Sequence, residues 1–313
     1  MTTHVARNDL AFRIAIASGK GGTGKTFFAT NLFFSLLKQN VPVTLVDCDA
    51  EGPNDTIFFP GRPQKALPVT RRTPVIDQGL CTFCGKCREY CSFNAIFMLP
   101  VSRVIRCMDE LCHGCGACLY ACEAGAISEK EVNLGALNFY AVTKTARIVE
   151  SRMLPGLPSP VPLIKAAIRE AGHANTPLPG HSVLPGHTVL LDTPPGIGCP
   201  FVQTVSRADY VILVTEPTPF GLSDLKQSVE CLQIMKKPFG VVLNRAGTGN
   251  DGVNEYLDKE GFPLLMEIPF EREIAFDYAR GSLVSKTRPA FQHALTMIYE
   301  RIRKTHGNGH HQR

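Results

Sequence analysis

Eight cysteines between residues 81 and 122 form two copies of one pattern, Cys-x2-Cys-x2-Cys-x3-Cys. The copies are Cys81, Cys84, Cys87, Cys91 and Cys112, Cys115, Cys118, Cys122. This is the spacing in which a short chain wraps an iron–sulfur cube. Cys-x2-Cys pairs also bind zinc tetrahedrally, which leaves zinc as the alternative. Two complete four-cysteine runs favour iron–sulfur. Each run ends in a similar phrase, Cys91-Ser-Phe-Asn-Ala-Ile96 and Cys122-Glu-Ala-Gly-Ala-Ile127, so the segment reads as an internal duplication. Residues 77–131 are therefore expected to form an inserted module whose core is inorganic rather than aliphatic. It divides a larger domain into residues 1–76 and 132–305, with 306–313 as a flexible tail.

That larger domain alternates strands and helices. Phe12 to Ala17 reads as a buried strand, followed by a Gly-rich turn, a helix from Lys25 to Gln39 and a strand from Val43 to Val46. The alternation resumes at Thr188–Leu191 and Tyr210–Val214, with a helix from Leu222 to Met235. A strand at Phe239–Leu243, a helix at Asn254–Glu260 and a last strand at Leu264–Ile268 follow, then helices at Arg272–Ala279 and Pro289–Lys304. Strands separated by helices predict an α/β fold, a mostly parallel, doubly wound sheet covered on both faces. Leu154–Pro162 and Thr176–Pro185, rich in Pro and Gly, are expected to be surface loops.

The chain carries twelve cysteines, yet Met1 to Asp9 is polar and lacks the apolar run of a signal peptide. Reduced thiols in the cytosol, and hence metal rather than disulfides, are the expectation. The apolar stretch Phe27–Leu37 is too short to span a bilayer. With 33 Lys and Arg against 28 Asp and Glu, the formal charge of +5 gives no argument for nucleic acid.

Between the first strand and helix, Gly19-Lys-Gly-Gly-Thr-Gly24-Lys25-Thr26 satisfies the P-loop pattern. Amides around Gly19, Gly21, Gly22, Thr23 and Gly24 are free to converge on phosphate oxygens, and the helix N-terminus adds a favourable dipole. Lys25 is placed to pair with the β- and γ-phosphates, and the Thr26 hydroxyl to ligate Mg2+. Val189-Leu-Leu-Asp192-Thr-Pro-Pro-Gly196 is an apolar strand ending in an acid. Asp192 is thus expected to bind magnesium through water, with Gly196 letting the backbone approach the γ-phosphate. Asp47 and Asp49 close the second strand, where a turn or capping role is the alternative to function.

A second lysine near the start of the loop, Lys20, is the mark of the deviant Walker A group, and outside the insert the chain resembles that group. Further phrases narrow the resemblance: Asp47-Cys-Asp-Ala-Glu-Gly-Pro-Asn54, Asp192-Thr-Pro-Pro-Gly196 with Cys199-Pro200, Thr215-Glu-Pro-Thr-Pro-Phe-Gly221 and Ile268-Pro-Phe270. Together they look like the MinD/Mrp-superfamily P-loop ATPases with an inserted two-cluster ferredoxin domain. The resemblance implies binding and hydrolysis of ATP with Mg2+ in a nucleotide-sandwich dimer, homodimeric or with a similar ATPase. Within it Lys20 contacts the partner's phosphates, Asp49 orients the attacking water, Asp47 supports magnesium and Asn244 reads the adenine edge.

The doubled cysteine run likewise resembles bacterial two-cluster ferredoxins. That resemblance implies two crossed 4Fe–4S clusters, one on Cys81, Cys84, Cys87 and Cys122, the other on Cys112, Cys115, Cys118 and Cys91. Ser92 and Glu123 stand where ferredoxins usually have proline. Cys48, Cys107 and Cys231 read as packing thiols, and Cys199 as a buried or switch-adjacent thiol rather than a ligand of a bridging cluster. The His306–His311 tail could bind a metal but needs no such role. The last helix is expected to dock against the sheet rather than on a membrane.

The implied function is an ATPase whose dimer cycle serves electron transfer or metal-cofactor maturation on a partner protein. The alternatives are a positioning switch or an iron–sulfur carrier. A carrier's Cys-x-x-Cys near the C-terminus is missing outside the insert.

Overall fold

The computed structural model describes residues 11–59, 61–172 and 186–307. The polar start Met1–Asp9, the predicted loop Thr176–Pro185 and the tail beyond Gly307 lie outside the described residues. In chain order the first part comprises β1 (Phe12–Ala17), α1 (Lys25–Lys38), β2 (Val43–Asp47) and β3 (Lys65–Ile76). The cysteine-rich segment adds α2 (Lys86–Glu89), β4 (Ile96–Leu99), β5 (Val104–Cys107) and α3 (Ala117–Tyr120). There follow β6 (Ile127–Ala141), β7 (Ala146–Met153), α4 (Val161–Gly172), β8 (Thr188–Asp192), α5 (Cys199–Val205), β9 (Tyr210–Thr215), α6 (Pro219–Ile234) and β10 (Phe239–Ala246). The chain closes with α7 (Gly252–Glu260), β11 (Leu264–Pro269), α8 (Arg272–Ala279), α9 (Val284–Thr287) and α10 (Pro289–His306).

Among the described residues nine strands form one sheet, in the order β11-β10-β9-β1-β8-β2-β7-β6-β3. From β11 to β7 every pairing is parallel, whereas β6 runs antiparallel to both β7 and β3. Successive side chains of a strand face opposite sides of the sheet, and β1 uses both. Ala15 and Ala17 pack into the layer containing α4 to α7, while Ile14 and Ile16 pack against α1 and α10. Leu295, Ile298, Tyr299 and Ile302 of α10 are buried in that second layer, so the last helix docks on the domain. No helix among the described residues is long and apolar enough to cross a membrane.

Strands β3, β6 and β7 were not expected. β7 hides because Arg147 and Glu150 interrupt its apolar run although both are buried. β3 carries Pro68 and Pro74, which suits the sheet edge, where one side of the strand has no ladder to break. These strands position the cysteine-rich segment. At the level of Asp47 the register runs through Glu150 and Asn138 to Ala66. The β3–β6 ladder then continues to Ile76 paired with Ile127. The ten steps from Ala66 to Ile76 carry the ladder about 33 Å past the level of Asp47. Residues 77–126 sit at the tip of this arm, closed by a bond from the Asp77 amide to the Ala126 carbonyl at 2.8 Å. They enclose a small separate core of Cys87, Ile96, Met98, Ile105 and Ile127.

The arm leaves the sheet at a bulge, where the pairing shifts between Val69 and Thr70. Opposite it, Gly135 has φ +145°, and a Cβ there would lie 2.1 Å from the Arg152 carbonyl oxygen. Gly135→Ala is expected to destabilise the protein by about 3 kcal/mol in urea unfolding, combining a disfavoured backbone conformation with overpacking. A loss below about 1 kcal/mol would show that the bulge yields freely.

Candidate functional site

The sheet brings the predicted nucleotide-site residues together at its carboxyl edge. The loop after β1 turns through Gly22 and Gly24, both at positive φ. A Cβ on Gly24 would come within 2.3 Å of the Asn244 amide nitrogen, so glycine permits this close approach. Asn244, at the end of β10, donates to the Thr23 carbonyl at 2.8 Å and accepts from the Arg245 amide at 3.0 Å. A cavity of about 430 Å³ opens in front of the loop. Gly21, Gly22, Lys25, Thr26 and Asp49 line it together with the apolar side chains of Phe270, Ile274 and Tyr278.

Beneath the loop lies a group of carboxylates. Thr26 donates to Asp192 at 2.6 Å, joining residues 166 positions apart. Asp47 accepts from the amides of Asp49, Asn54 and Asp55 at 3.1, 2.8 and 3.0 Å. Asp55, which carried no assigned role in the sequence, is fully buried against the Asp192 carboxyl, and among the described residues no amide or hydroxyl donor reaches it; Asp192 Oδ1 and the hydroxyls of Thr23 and Thr193 are likewise orphaned. Burial raises Asp47 and Asp55 well above the ordinary carboxylate range, and mutual repulsion with Asp192 adds to it. Burial pushes Asp192 to about 6 against the pull of Thr26 and Lys25. Asp49 is also raised by burial, with Lys25 opposing. Lys25 itself is lowered, because burial outweighs the attraction of Asp192 and Asp49. Orphaned acceptors beside a buried lysine fit a site completed by a divalent cation and a polyphosphate.

Lys20 stands apart from this group. It pairs with Glu216 at 2.6 Å, and Arg245 holds the other Glu216 oxygen at 2.8 Å. Burial opposes ionisation of Glu216, but the two cations keep it below its usual range.

A second network leads from the nucleotide loop to the arm. Glu150, 1% exposed, accepts from Thr56 at 3.1 Å, from Asn138 of β6 at 2.9 Å and from Arg152 at 2.9 Å. The Met153 amide also donates to the Ala50 carbonyl at 2.8 Å. Glu150 and Arg245 carried no motif, and Glu216 lay in the Thr215–Gly221 phrase without a role assigned to it; the ion pairs and strand pairing reveal their place.

The eight repeat cysteines gather around two cavities. One is lined by Cys81, Cys84, Cys87 and Cys122, the other by Cys91, Cys112, Cys115 and Cys118. Each cavity therefore takes three thiols from one run and the fourth from the other. Backbone amides of Phe83, Ala95 and Gly114 donate to the sulfurs of Cys81, Cys91 and Cys112 at 3.4, 3.3 and 3.4 Å. Among the described residues no three His, Cys, Asp or Glu side chains close tightly enough on one point to hold a single ion. Four soft sulfur donors around a space, with amides aimed at the sulfurs, fit a cubane cluster.

The other thiols lie elsewhere. Cys48 is buried in the main core, Cys199 is exposed at the start of α5, and Cys231 is half-buried with its sulfur 3.8 Å from that of Met235. Cys107 packs in the small core as expected but also lines the second cavity. His306 of the predicted tail ends α10, its ring 4.8 Å from that of Tyr210.

A glycine-rich cradle between strand and helix, backed by acidic strand ends, defines a P-loop nucleotide-binding protein. The CobQ/CobB/MinD/ParA nucleotide binding domain matches residues 14–284, and the chain belongs to that family. An uncharacterized protein of Methanocaldococcus jannaschii is 28% identical over 287 residues, covering 86% of this chain and 89% of that one. The septum site-determining protein MinD of Pyrococcus horikoshii, solved with Mg-ADP, matches with a TM-score of 0.55 at 19% identity, over 95% of this chain and 98% of that one. This likeness is one of fold. A short stretch of 71 residues is 34% identical to the iron–sulfur cluster carrier protein of Escherichia coli, spanning 22% of this chain and 19% of the carrier. The expected family and the mostly parallel P-loop sheet are both found.

The Asp192 carboxyl binds its proton more tightly in the fold than in the unfolded chain, whose ordinary value is 3.8. The stability this contributes is complete below about pH 4 and is lost as pH rises through about 6, a change of roughly 3 kcal/mol for a group this buried. Urea unfolding of nucleotide-free protein across this window should show wild type falling relative to Asp192→Asn. Parallel curves for the two proteins would refute the assignment.

Proposed function

We propose that this chain is an ATP-hydrolysing iron–sulfur protein whose nucleotide-driven dimer cycle is coupled to electron transfer to, or metal-cofactor maturation on, a partner protein in the reducing cytosol. The observation that carries the reading is the crossed grouping of eight thiols around two cavities, on an arm rising from the nucleotide end of the sheet. Cys81, Cys84, Cys87 and Cys122 hold one cluster, and Cys91, Cys112, Cys115 and Cys118 the other. Bound there, the clusters supply one-electron chemistry. Cys84 and Cys115 are exposed, giving each site a thiol that faces a redox partner.

At the nucleotide site the amides of residues 19–24 and the Lys25 ammonium bind the phosphates. Thr26 and Asp192 hold the magnesium ion, with Asp47 behind them. Asp49 orients the attacking water, since it lines the cavity from the side of Lys25. Asn244 steadies the loop through Thr23 and stands at the cavity wall facing the base. Lys20 rests on Glu216 in the single chain and exchanges that carboxylate for the phosphates of a second subunit when the dimer closes, the partner subunit being another copy or a similar ATPase. Hydrolysis is slow until the partner protein docks.

Lys25→Ala and Lys20→Ala are expected to abolish ATP-dependent dimerisation and phosphate release, each by at least about 100-fold, while visible cluster absorbance stays intact. Unchanged turnover in both variants would refute the nucleotide assignment. Anaerobic reconstitution is expected to load about eight iron atoms per chain. Stoichiometric zinc in their place would make the cysteine cavities structural zinc sites.

A further inference from the structure

The hairpin of β4 and β5 covers the cysteine cavities with one face and leaves the other bare. Ile105 lines the first cavity and Ile96 the second, and both are buried with Met98 in the small core. Alternate residues of a strand point to opposite sides, so Phe97, Leu99, Val104 and Arg106 share the outward face. The strand pairing sets Phe97 opposite Arg106 and Leu99 opposite Val104. The Arg106 guanidinium lies 5.5 Å from the centre of the Phe97 ring, on that same face. Phe97, Leu99 and Val104 are exposed, and Val101 in the turn between the strands is fully so. A contiguous apolar patch with a polar rim marks a contact surface.

The charge around this patch is of one sign. Arg103 and Arg106 are exposed and form no ion pair among the described residues. Their guanidinium groups lie over aromatic rings instead, Arg103 at 4.9 Å from that of Phe83 and Arg106 over Phe97. Elsewhere on the module and arm, Lys86 pairs with Glu123 at 2.5 Å and Lys130 with Asp109 at 2.7 Å. Phe83 lines the first cavity beside Cys84, the exposed thiol of that set, so Arg103 carries the face to the cavity's edge. Arginine and aromatic side chains supply much of the binding energy of protein interfaces, and a guanidinium takes a carboxylate through two parallel bonds. A lipid surface holds a protein through a larger polybasic cluster. Two arginines beside four apolar side chains fit the carboxylates of another protein.

Resting on the iron–sulfur reading above, we propose that the outward face of the β4–β5 hairpin, with Arg103 and Arg106, is the docking surface for an acidic one-electron carrier protein. A carrier seated there is separated from both cysteine cavities by a single layer of strands. One electron crosses between carrier and cluster, and no bond forms or breaks.

Full-length protein, reconstituted anaerobically and reduced, is mixed in a stopped-flow instrument with oxidised flavodoxin, an acidic carrier. Each electron leaving a cluster, with one proton from solvent, converts the flavin to its neutral semiquinone, whose absorbance is followed. Arg103→Glu combined with Arg106→Glu should slow this reaction by at least about 10-fold at low ionic strength and abolish its decline with added salt. Arg103→Gln with Arg106→Gln, which only removes charge, should give an intermediate rate. Oxidation by a small neutral quinone, which needs no docking face, should keep its wild-type rate in both. Iron should stay at about eight atoms per chain in every variant. Wild-type flavodoxin rates in both iron-replete variants would overturn the inference, as would an equal slowing of the quinone reaction. Flotation of wild type with phosphatidylserine vesicles, lost in the variants, would overturn it too, since the face would then be a lipid contact. Wild-type protein that takes up zinc and no iron would remove the cluster reading itself, and this inference with it.

Discussion

The nucleotide site is organised around charge that the folded chain does not balance by itself. Asp47, Asp55 and Asp192 are buried together beneath the phosphate loop, and Lys25 is buried beside them. Burial drives all four toward their neutral forms, the acids upward and the lysine downward. A divalent cation with a polyphosphate reverses that preference for each group at once. The loop after β2 hangs on this balance, because Asp47 accepts the amides of Asn54 and Asp55 as well as that of Asp49. Its shape therefore depends on whether Asp47 carries its charge.

Thr56 lies in the same loop and donates to Glu150, which also binds Asn138 on β6. β6 is the strand that becomes the arm. The buried Glu150 thus connects the loop after β2 to the ladder that carries the thiols. Coupling between sites requires an element with two arrangements that both sites bias. Asp47 holds three amides of the loop, so a change in its charge would loosen that loop, which Glu150 ties to the arm.

The elements legible in the sequence were those whose local signal and tertiary role agree. β1 and α8 fall where the pattern predicts, and the P-loop is contiguous, so its spacing alone defines it. Thr26 and Asp192 were each readable by motif, although only the β1–β8 pairing shows them in contact. What stayed hidden was set by partners far away in the chain. β7 looks too polar for a strand until Arg147 is seen bonded to Thr44, and Glu150 to Thr56 and Asn138. Residues 154–162 read as a loop, but α4 begins at Val161, held by the capping bond from its amide to Ser159. Asp55 follows directly on a recognisable motif and shows its burial only in three dimensions. Cys107 read as a packing thiol and packs in the small core, and only the fold shows that it also borders the second cavity.

The arm also explains how one chain can carry two cores of such different kinds. The main domain buries two apolar layers around a parallel sheet, whereas residues 77–126 bury only a few aliphatic side chains, among them Ile96, Met98 and Ile105. A segment of about fifty residues with so small a core does not offset its own chain entropy by apolar burial. Under the proposed cluster reading, bonds from thiolates to metal would supply that free energy, so that filling the cavities and folding the module would be one event. The β3–β6 ladder runs to Ile76 and Ile127, whose side chains pack in the same small core as the thiols. The ladder, bonded to the main sheet through Asn138 and Glu150, therefore fixes where the module sits, at the nucleotide end of the sheet.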